Sequence, residues 1–329
     1  MDTSLVDPFG RTIDYLRISL TDRCDLRCTY CMPEGFRDFE SPDEWLTVDE
    51  LERVVAAFGR LGTQRIRLTG GEPLVRRELT DIAGRLGVLP GIEDLSLSTN
   101  AVRLARFAEP LRAAGIRRLN VSLDTLRPDR FKATTGGGRL DKVLDGLMAA
   151  KAAGFGPIKI NAVAQKGIND DEITDLVDFC LEHGFTLRFI ETMPVGSTGQ
   201  SAEADHYLDL GEVRRQLEDR YELLPATMPG GGPARYVQVA GSDLRIGFIT
   251  PISRHFCESC NRVRLGPDGM LHLCLGDEAN HDLRTPLRAG ISDAELEAQI
   301  RRAIAIKPER HEFRDNPDKI VRFMSMTGG

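Results

Sequence analysis

The chain has 329 residues, 41% of them hydrophobic and 28% charged, with a net charge of −7. That length allows two domains or one large α/β unit with a substantial core, and the acidic balance excludes a global basic field for nucleic acid. The first ten residues lack the basic-then-apolar pattern of a signal peptide, and no apolar run reaches the ~20 residues of a membrane helix, so a cytoplasmic protein without a membrane partner is expected.

In chain order, apolar/polar alternation predicts strands at 15–20, 65–69, 94–99, 118–123, 158–163 and 186–190. Helical spacing fills the gaps. Thr47 with Glu50 reads as a capping box ahead of Leu51, Val54, Val55 and Phe58, and Asn169 with Glu172 reads the same way ahead of Ile173, Leu176, Val177 and Cys180. Further helices are expected near 76–87, 103–114, 139–153 and 209–219. Six strand–helix repeats imply a parallel sheet covered by helices, and an open doubly wound sheet and a barrel both fit that order.

The strand faces favour a barrel. Buried parallel strands usually read as continuous apolar runs because helices cover both faces, yet here one face is repeatedly polar. Arg17 and Ser19 alternate with Leu16, Ile18 and Leu20; Arg65, Arg67 and Thr69 alternate with Ile66 and Leu68. Ser96 and Ser98 oppose Leu95 and Leu97, while Asn120, Ser122 and Asp124 oppose Val121 and Leu123. Lys159 and Asn161 oppose Ile158 and Ile160, and the sixth strand, Leu187-Arg188-Phe189-Ile190-Glu191, breaks the pattern. Five polar faces imply strands curved round a wet cavity, whereas a packed eight-stranded barrel is apolar inside. The expected fold class is therefore α/β, a partial (β/α)6 TIM-like barrel open at one side, with its site in the loops after the strands.

Beyond residue 225 the pattern changes. Pro229-Gly230-Gly231-Gly232-Pro233 reads as a loop or linker, 243–250 as a strand, and 261–265 with 270–275 as a hairpin turned by Gly266-Pro267-Asp268-Gly269. A last amphipathic helix is expected over 291–306. The chain thus divides into a barrel domain at 1–225 and a smaller C-terminal α+β domain at 226–329.

Of seven cysteines, three fall at 24, 28 and 31 and three at 257, 260 and 274. Cys180 stands alone on the apolar stripe of its helix and reads as a small buried hydrophobe. In a reducing compartment, two tight triplets point to soft-metal sites rather than disulfides. No fourth Cys or His lies near the first triplet, so zinc would lack a ligand there, while a four-iron cluster would keep one open iron. For the second triplet, a zinc knuckle completed by His255, His272 or His281 and an iron–sulfur cluster are both open.

Cys24-Asp25-Leu26-Arg27-Cys28-Thr29-Tyr30-Cys31, followed about 40 residues later by Gly70-Gly71-Glu72-Pro73, resembles the paired signature of the radical S-adenosylmethionine (SAM) superfamily. Over essentially its whole length the chain further resembles the GTP 3′,8-cyclase family. The matching segments are 22–33, 67–73, 120–124, 257–264 with Cys274, and the terminal Gly328-Gly329. The resemblance implies two 4Fe-4S clusters, one on Cys24, Cys28 and Cys31 and one on Cys257, Cys260 and Cys274. The open iron of the first would chelate SAM, and that of the second would face guanine. SAM contacts are implied at Tyr30, Gly71, Ser122 and Met193. GTP contacts are implied at Arg17, Arg67, Ser98, Lys159, Arg262, Val263 and Arg264, with Arg262 and Arg264 counted as catalytic beside the first triplet. Fixed guanidinium groups suit a triphosphate because they donate in bidentate fashion and stay charged.

The reaction so implied is reductive cleavage of SAM, hydrogen removal from the ribose 3′ carbon and closure onto carbon 8 of guanine, the first step of molybdenum cofactor biosynthesis. The implied partners are GTP, cyclic pyranopterin monophosphate synthase as recipient of the product, an unidentified electron donor and a second copy of the chain in a homodimer. The Gly328-Gly329 tail is expected to reach into the active site. A peptide-modifying radical enzyme or a zinc scaffold would share the cysteines but would have no use for the arginine set.

Overall fold

The computed structural model describes residues 4–328. Gly329, half of the terminal glycine pair, lies outside the described residues. Twelve strands among those described form one sheet: β1 (Tyr15–Ser19), β2 (Arg65–Thr69), β3 (Asp94–Thr99), β4 (Arg118–Ser122), β5 (Ile158–Ala164), β6 (Thr186–Glu191), β7 (Leu223–Ala226), β8 (Arg235–Val239), β9 (Arg245–Ile249), β10 (Arg262–Leu265), β11 (Met270–His272) and β12 (Asn280–Asp282). Their order is β12-β11-β10-β1-β2-β3-β4-β5-β6-β9-β8-β7. The six repeats supply β1 to β6, all parallel, and the later chain lengthens the parallel run at both ends. There β10 pairs with β1 and β9 pairs with β6.

Helices Val48–Arg60, Leu79–Leu86, Leu104–Ala113, Leu140–Ala152 and Ile173–His183 follow successive strands and cover the outer face. The apolar strand residues point at them. Leu16, Ile18, Ile66, Leu68, Leu97, Val121 and Ile160 join Val54, Val55 and Phe58 in one continuous buried core, each burial contributing ~1.5–3 kcal/mol. Cys180 is buried in the same core, as a small hydrophobe would be.

The first helix starts as its capping box requires, with Glu50 N–H donating to Thr47 Oγ1 (3.2 Å) and Thr47 N–H donating to Glu50 (2.8 Å). The second expected box does not form. Asn169 instead accepts from Gln165 N–H (2.8 Å) and donates to the carbonyls of Asp124 and Val163 (2.8 and 2.9 Å). Glu172 accepts from Thr125 Oγ1 (2.6 Å) and Leu126 N–H (2.8 Å). The loop after β4 claims both side chains, so the helix begins at Ile173 without a side-chain cap.

The sixth strand keeps the alternation that its sequence hides. Arg188 lies in register with Asn161 and donates from Nε to Asn161 Oδ1 (2.8 Å) and from Nη2 to Asn120 Oδ1 (2.5 Å) across the polar face. Leu187 and Phe189 are fully buried on the other side. On the inner face of β6, Ile190 is the apolar residue that masked the pattern.

The chain after residue 225 adds no separate sheet. The expected boundary falls inside β7, which pairs with β8, and β8 with β9. The hairpin forms as β10 and β11, and a helix at Asp293–Ile304, capped by Ser292 and Glu295, leans on the first helix through Arg53–Asp293 and Arg60–Glu297. Among the described residues no helix is long and apolar enough to cross a membrane.

Candidate active site

The first cysteine triplet follows β1. Arg27 N–H donates to the Thr135 carbonyl (2.9 Å) and Thr29 N–H to that of Thr134 (3.0 Å), while Cys31 and Met32 N–H both return to the Cys28 carbonyl (3.0 and 3.2 Å). These bonds fix a tight loop with three free thiols. Cys24 Sγ accepts from Leu26 N–H at 3.4 Å and Asn100 Nδ2 at 3.7 Å. Burial holds the Cys24 and Cys28 thiols well above the usual range, with Glu72 adding to it for Cys24, and pushes Cys31 up to about 11. A metal must therefore displace their protons to bind.

The glycine turn after β2 supports this loop. Gly71 N–H donates to the Thr21 carbonyl (2.7 Å) and Glu72 N–H to that of Arg23 (2.8 Å), and a Cβ on Gly71 would collide with the Arg23 carbonyl. The close approach that glycine permits is thus made to the backbone entering the cysteine loop. The Glu72 carboxylate, buried and pushed up to about 7 by that burial, accepts from Leu74 N–H (3.0 Å), Thr99 Oγ1 (2.7 Å) and Asn100 N–H (2.7 Å). One side chain thereby ties the ends of β2 and β3 together. Glu72 stood in the Gly70-Gly71-Glu72-Pro73 motif of the sequence, where its side chain was given no role.

Cys24, Cys28 and Cys31 line one cavity, and Tyr30, Gly71, Ser122 and Met193 line it with them. Ser98, expected against GTP, stands in this wall too. The Tyr30 hydroxyl donates to Asp124 Oδ2 (2.7 Å), and Asp124 Oδ1 accepts from Val163 N–H (2.8 Å). Burial pushes the Asp124 carboxyl up to about 6. In the sequence Asp124 was legible as the last polar residue of the alternation from Asn120 and as the end of the matching segment 120–124, but it carried no role; it lies just beyond β4.

The second triplet lines an adjoining cavity. Cys257, Cys260 and Cys274 share its wall with Arg17, Arg67, Arg262, Val263 and Arg264. Met193, Asn161 and Ile190 border both cavities. Strand register explains the arginines: Arg17 pairs with Arg67 on one side and Arg264 on the other, so three guanidinium groups project side by side from one face. Arg11 Nη1 donates to the Cys257 carbonyl (2.9 Å), Lys307 Nζ to that of Leu273 (2.5 Å) and Arg322 Nη2 to that of Cys274 (2.9 Å). Burial alone would raise the Cys260 thiol, yet the charges of Lys307 and Arg262 bring it below its ordinary value. His255, His272 and His281 do not line this cavity, whereas His311 does; its Nε2 is engaged with the Pro251 carbonyl at 3.0 Å.

Lys159 lines neither cavity. It lies at the base of the barrel, where Arg67 and Arg188 line a third cavity with it. Burial and neighbouring Arg188 push its ammonium down to about 7. The tail also contributes: Gly328 offers its carbonyl to Arg264, and Met324 and Ser325 line the first cavity.

The first donor set fits a four-iron cluster. Three thiols and no histidine line that wall, which leaves one iron open. Among the described residues, no three His, Cys, Asp or Glu side chains converge closely enough to hold a single metal ion.

Fold and cysteine loop together define a radical SAM enzyme, and residues 18–180 match the Radical SAM superfamily, while residues 185–313 match the family described as Molybdenum Cofactor Synthesis C. Among solved structures, Streptococcus suis SuiB bound to S-adenosylmethionine superposes with a TM-score of 0.57 at 18% identity, covering 82% of this chain and 62% of that one. That likeness concerns the fold. A GTP 3′,8-cyclase of Ectopseudomonas mendocina is 50% identical over 327 residues, covering 99% of this chain and 98% of the relative. A GTP 3′,8-cyclase of Paracoccus denitrificans is 50% identical over 333 residues, covering 99% and 96%. The chain belongs to the GTP 3′,8-cyclase family, and with it to the radical SAM enzymes that use a 4Fe-4S cluster and SAM.

Proposed function

We propose that this chain is the radical SAM cyclase that converts GTP into 3′,8-cyclo-7,8-dihydro-GTP, the opening step of molybdenum cofactor biosynthesis. One observation carries the reading: the two cysteine triplets line adjoining cavities with Met193 in both walls, and the second cavity is faced by Arg17, Arg262 and Arg264. When bound, the first cluster supplies the electron that cleaves SAM and so provides the radical that begins ring closure.

The protein's own residues do the positioning. Cys24, Cys28 and Cys31 hold the first cluster, with Tyr30, Gly71, Ser122 and Met193 around SAM. Cys257, Cys260 and Cys274 would hold a second 4Fe-4S cluster and supply a metal site for the guanine end of the nucleotide. This assignment is supported by a thiol set matching the first and by the positive field that lowers Cys260. Arg17, Arg67, Lys159, Arg262, Val263 and Arg264 hold the nucleotide, and Ser98 reaches it from the first wall. Residues 1–225 act as the radical-generating barrel and supply Arg17, Arg67, Ser98 and Lys159 to the nucleotide, while 226–329 carry the second cysteine triplet and complete the substrate site with Arg262, Val263 and Arg264. The enzyme works in the cytoplasm as a homodimer, takes its electron from an unidentified donor and passes its product to cyclic pyranopterin monophosphate synthase.

Anaerobic reconstitution, metal and sulfide analysis, then reaction with SAM, dithionite and GTP test the reading. Expected are iron and sulfide for two clusters, 5′-deoxyadenosine, and matching loss of GTP. Zinc, or no deoxyadenosine, overturns the radical assignment; deoxyadenosine with GTP untouched removes the substrate.

A further inference from the structure

Three buried cations grip the backbone that carries the second cysteine triplet, each from a different part of the chain. Arg11 donates from Nη1 to the Cys257 carbonyl (2.9 Å), and its Nε pairs with Asp7 (2.5 Å). Arg322 donates from Nη2 to the carbonyls of Cys274, Leu275 and Asp277 (2.9, 2.7 and 2.8 Å), and its Nη1 pairs with Glu278 (2.6 Å). Lys307 is the most deeply buried of the three, only 2% exposed. Its Nζ donates to the Leu273 carbonyl (2.5 Å), one residue before Cys274. Unlike the two arginines, it makes no ion pair with a carboxylate among the described residues.

An ammonium buried without an anion costs far more than one carbonyl returns. The helix Asp293–Ile304 ends just before it, with Lys307 N–H on the Ile304 carbonyl (3.1 Å). The negative end of a helix offsets such a charge only in part. The nucleotide is no counter-ion either, because Lys307 lines neither the triplet cavity nor the one at the base of the barrel. Sulfur remains. Burial raises the Cys257 and Cys274 thiols and Lys307 opposes that rise, while at Cys260 it is the largest of the charges that outweigh burial. At the first triplet the charges of Glu72 and Asp124 act in the opposite sense and add to burial.

We propose that Lys307 is the counter-charge of the second cluster, neutralising its anionic thiolate set, retaining it in the protein and raising its reduction potential. The inference rests on the second-cluster reading above and deepens it. Three thiolates give a 4Fe-4S centre a net negative charge that grows by one on reduction, so a fixed cation favours the reduced form. A carbonyl bond alone would hold the backbone before Cys274 in place and leave the potential where it was.

Potentiometric titration of the reconstituted full-length enzyme, read by electron paramagnetic resonance, tests this; the first cluster is told apart by its response to SAM. Lys307→Gln keeps a donor for the Leu273 carbonyl and removes the charge. It is expected to lower the midpoint of the second cluster. At a given potential the reduced-to-oxidised ratio should fall roughly tenfold, which is about 59 mV for one electron. Lys307→Arg keeps the charge and is expected to hold the midpoint of the unsubstituted enzyme, and neither variant should move the first cluster. An unchanged midpoint in Lys307→Gln, a shift shared by the first cluster, or an equal shift in Lys307→Arg overturns the proposal. Should Lys307→Gln not fold or not hold the second cluster, Lys307→Arg decides by iron content: about eight atoms per chain support the counter-charge and about four overturn it. An unsubstituted enzyme with zinc in the second site, or with only about four irons, overturns the second cluster itself, and the counter-charge with it.

Discussion

The Tyr30 hydroxyl donates to Asp124 across 2.7 Å, and this one bond joins the cysteine loop to the end of β4. Asp124 is anchored in turn by Val163 N–H, so β5 also helps to set where Tyr30 stands.

Asp124→Ala frees Tyr30 and leaves Val163 N–H without its acceptor. Deoxyadenosine formation without GTP is expected to fall roughly tenfold or more, and Tyr30→Phe to cost less, because it leaves the Val163 bond intact. Equilibrium binding of GTP should not change. Chromatographic assay of deoxyadenosine, with a GTP titration alongside, checks both statements.

Lys159 gives a pH dependence. Its ammonium lies at about 7 in the folded protein against ~10.4 ordinarily. Between those values the unfolded chain binds a proton that the folded one does not, so its destabilising share shrinks as pH rises from about 7. A bound triphosphate favours the charged form. GTP binding at pH 8.5 should then take up close to one proton, and affinity should fall by at most about tenfold per pH unit above neutrality. Titration in buffers of different ionisation enthalpy measures the uptake, which Lys159→Met should abolish.

Arg262 lines the cavity of the second cysteine triplet, and its guanidinium also lies 5.7 Å from the Phe256 ring. Arg262→Ala is expected to raise the GTP concentration at half-saturation by roughly tenfold or more and to leave uncoupled cleavage of SAM intact. Loss of that cleavage would assign Arg262 to the first cluster or to the fold.

The two cysteine sets should separate by analysis. Cys257→Ser or Cys274→Ser is expected to lower bound iron from about eight to about four atoms per chain, with deoxyadenosine still formed and no GTP consumed. Cys24→Ser should remove deoxyadenosine formation. Iron content and electron paramagnetic resonance of each variant distinguish the outcomes.

Phe58 offers a control remote from the chemistry. It is fully buried in the core, and Phe58→Ala should cost ~3–5 kcal/mol by chemical denaturation without altering GTP binding by the folded enzyme.

How far the sequence carried depended on whether each signal was local. Strands β1 to β5 were legible because a polar inner face alternates with an apolar outer one, and the structure begins each of them where the pattern does. Arg188 was not, since Ile190 interrupts the polar face and only the partners Asn120 and Asn161 reveal the direction of the side chain. Asn169 and Glu172 matched a capping box by spacing but serve the loop after β4, a tertiary demand that local pattern cannot carry. The helix Gly196–His206 escaped notice because Gly-Ser-Thr-Gly composition gives no apolar stripe. The cysteine triplets were plain. That they line adjoining cavities required the register of β10 on β1, a pairing between segments at opposite ends of the chain.

That pairing also governs how the protein is made. Strand β1 leaves the ribosome early, yet the edge that β10 occupies stays bare until residue 265 has been synthesised. The far edge, on β6, waits in the same way for β9. Unpaired parallel edges are templates for aggregation, so the nascent chain must be sheltered through most of translation. Chains that stop before residue 245 would keep both edges bare, and they belong in the insoluble fraction even though every strand–helix repeat has been completed.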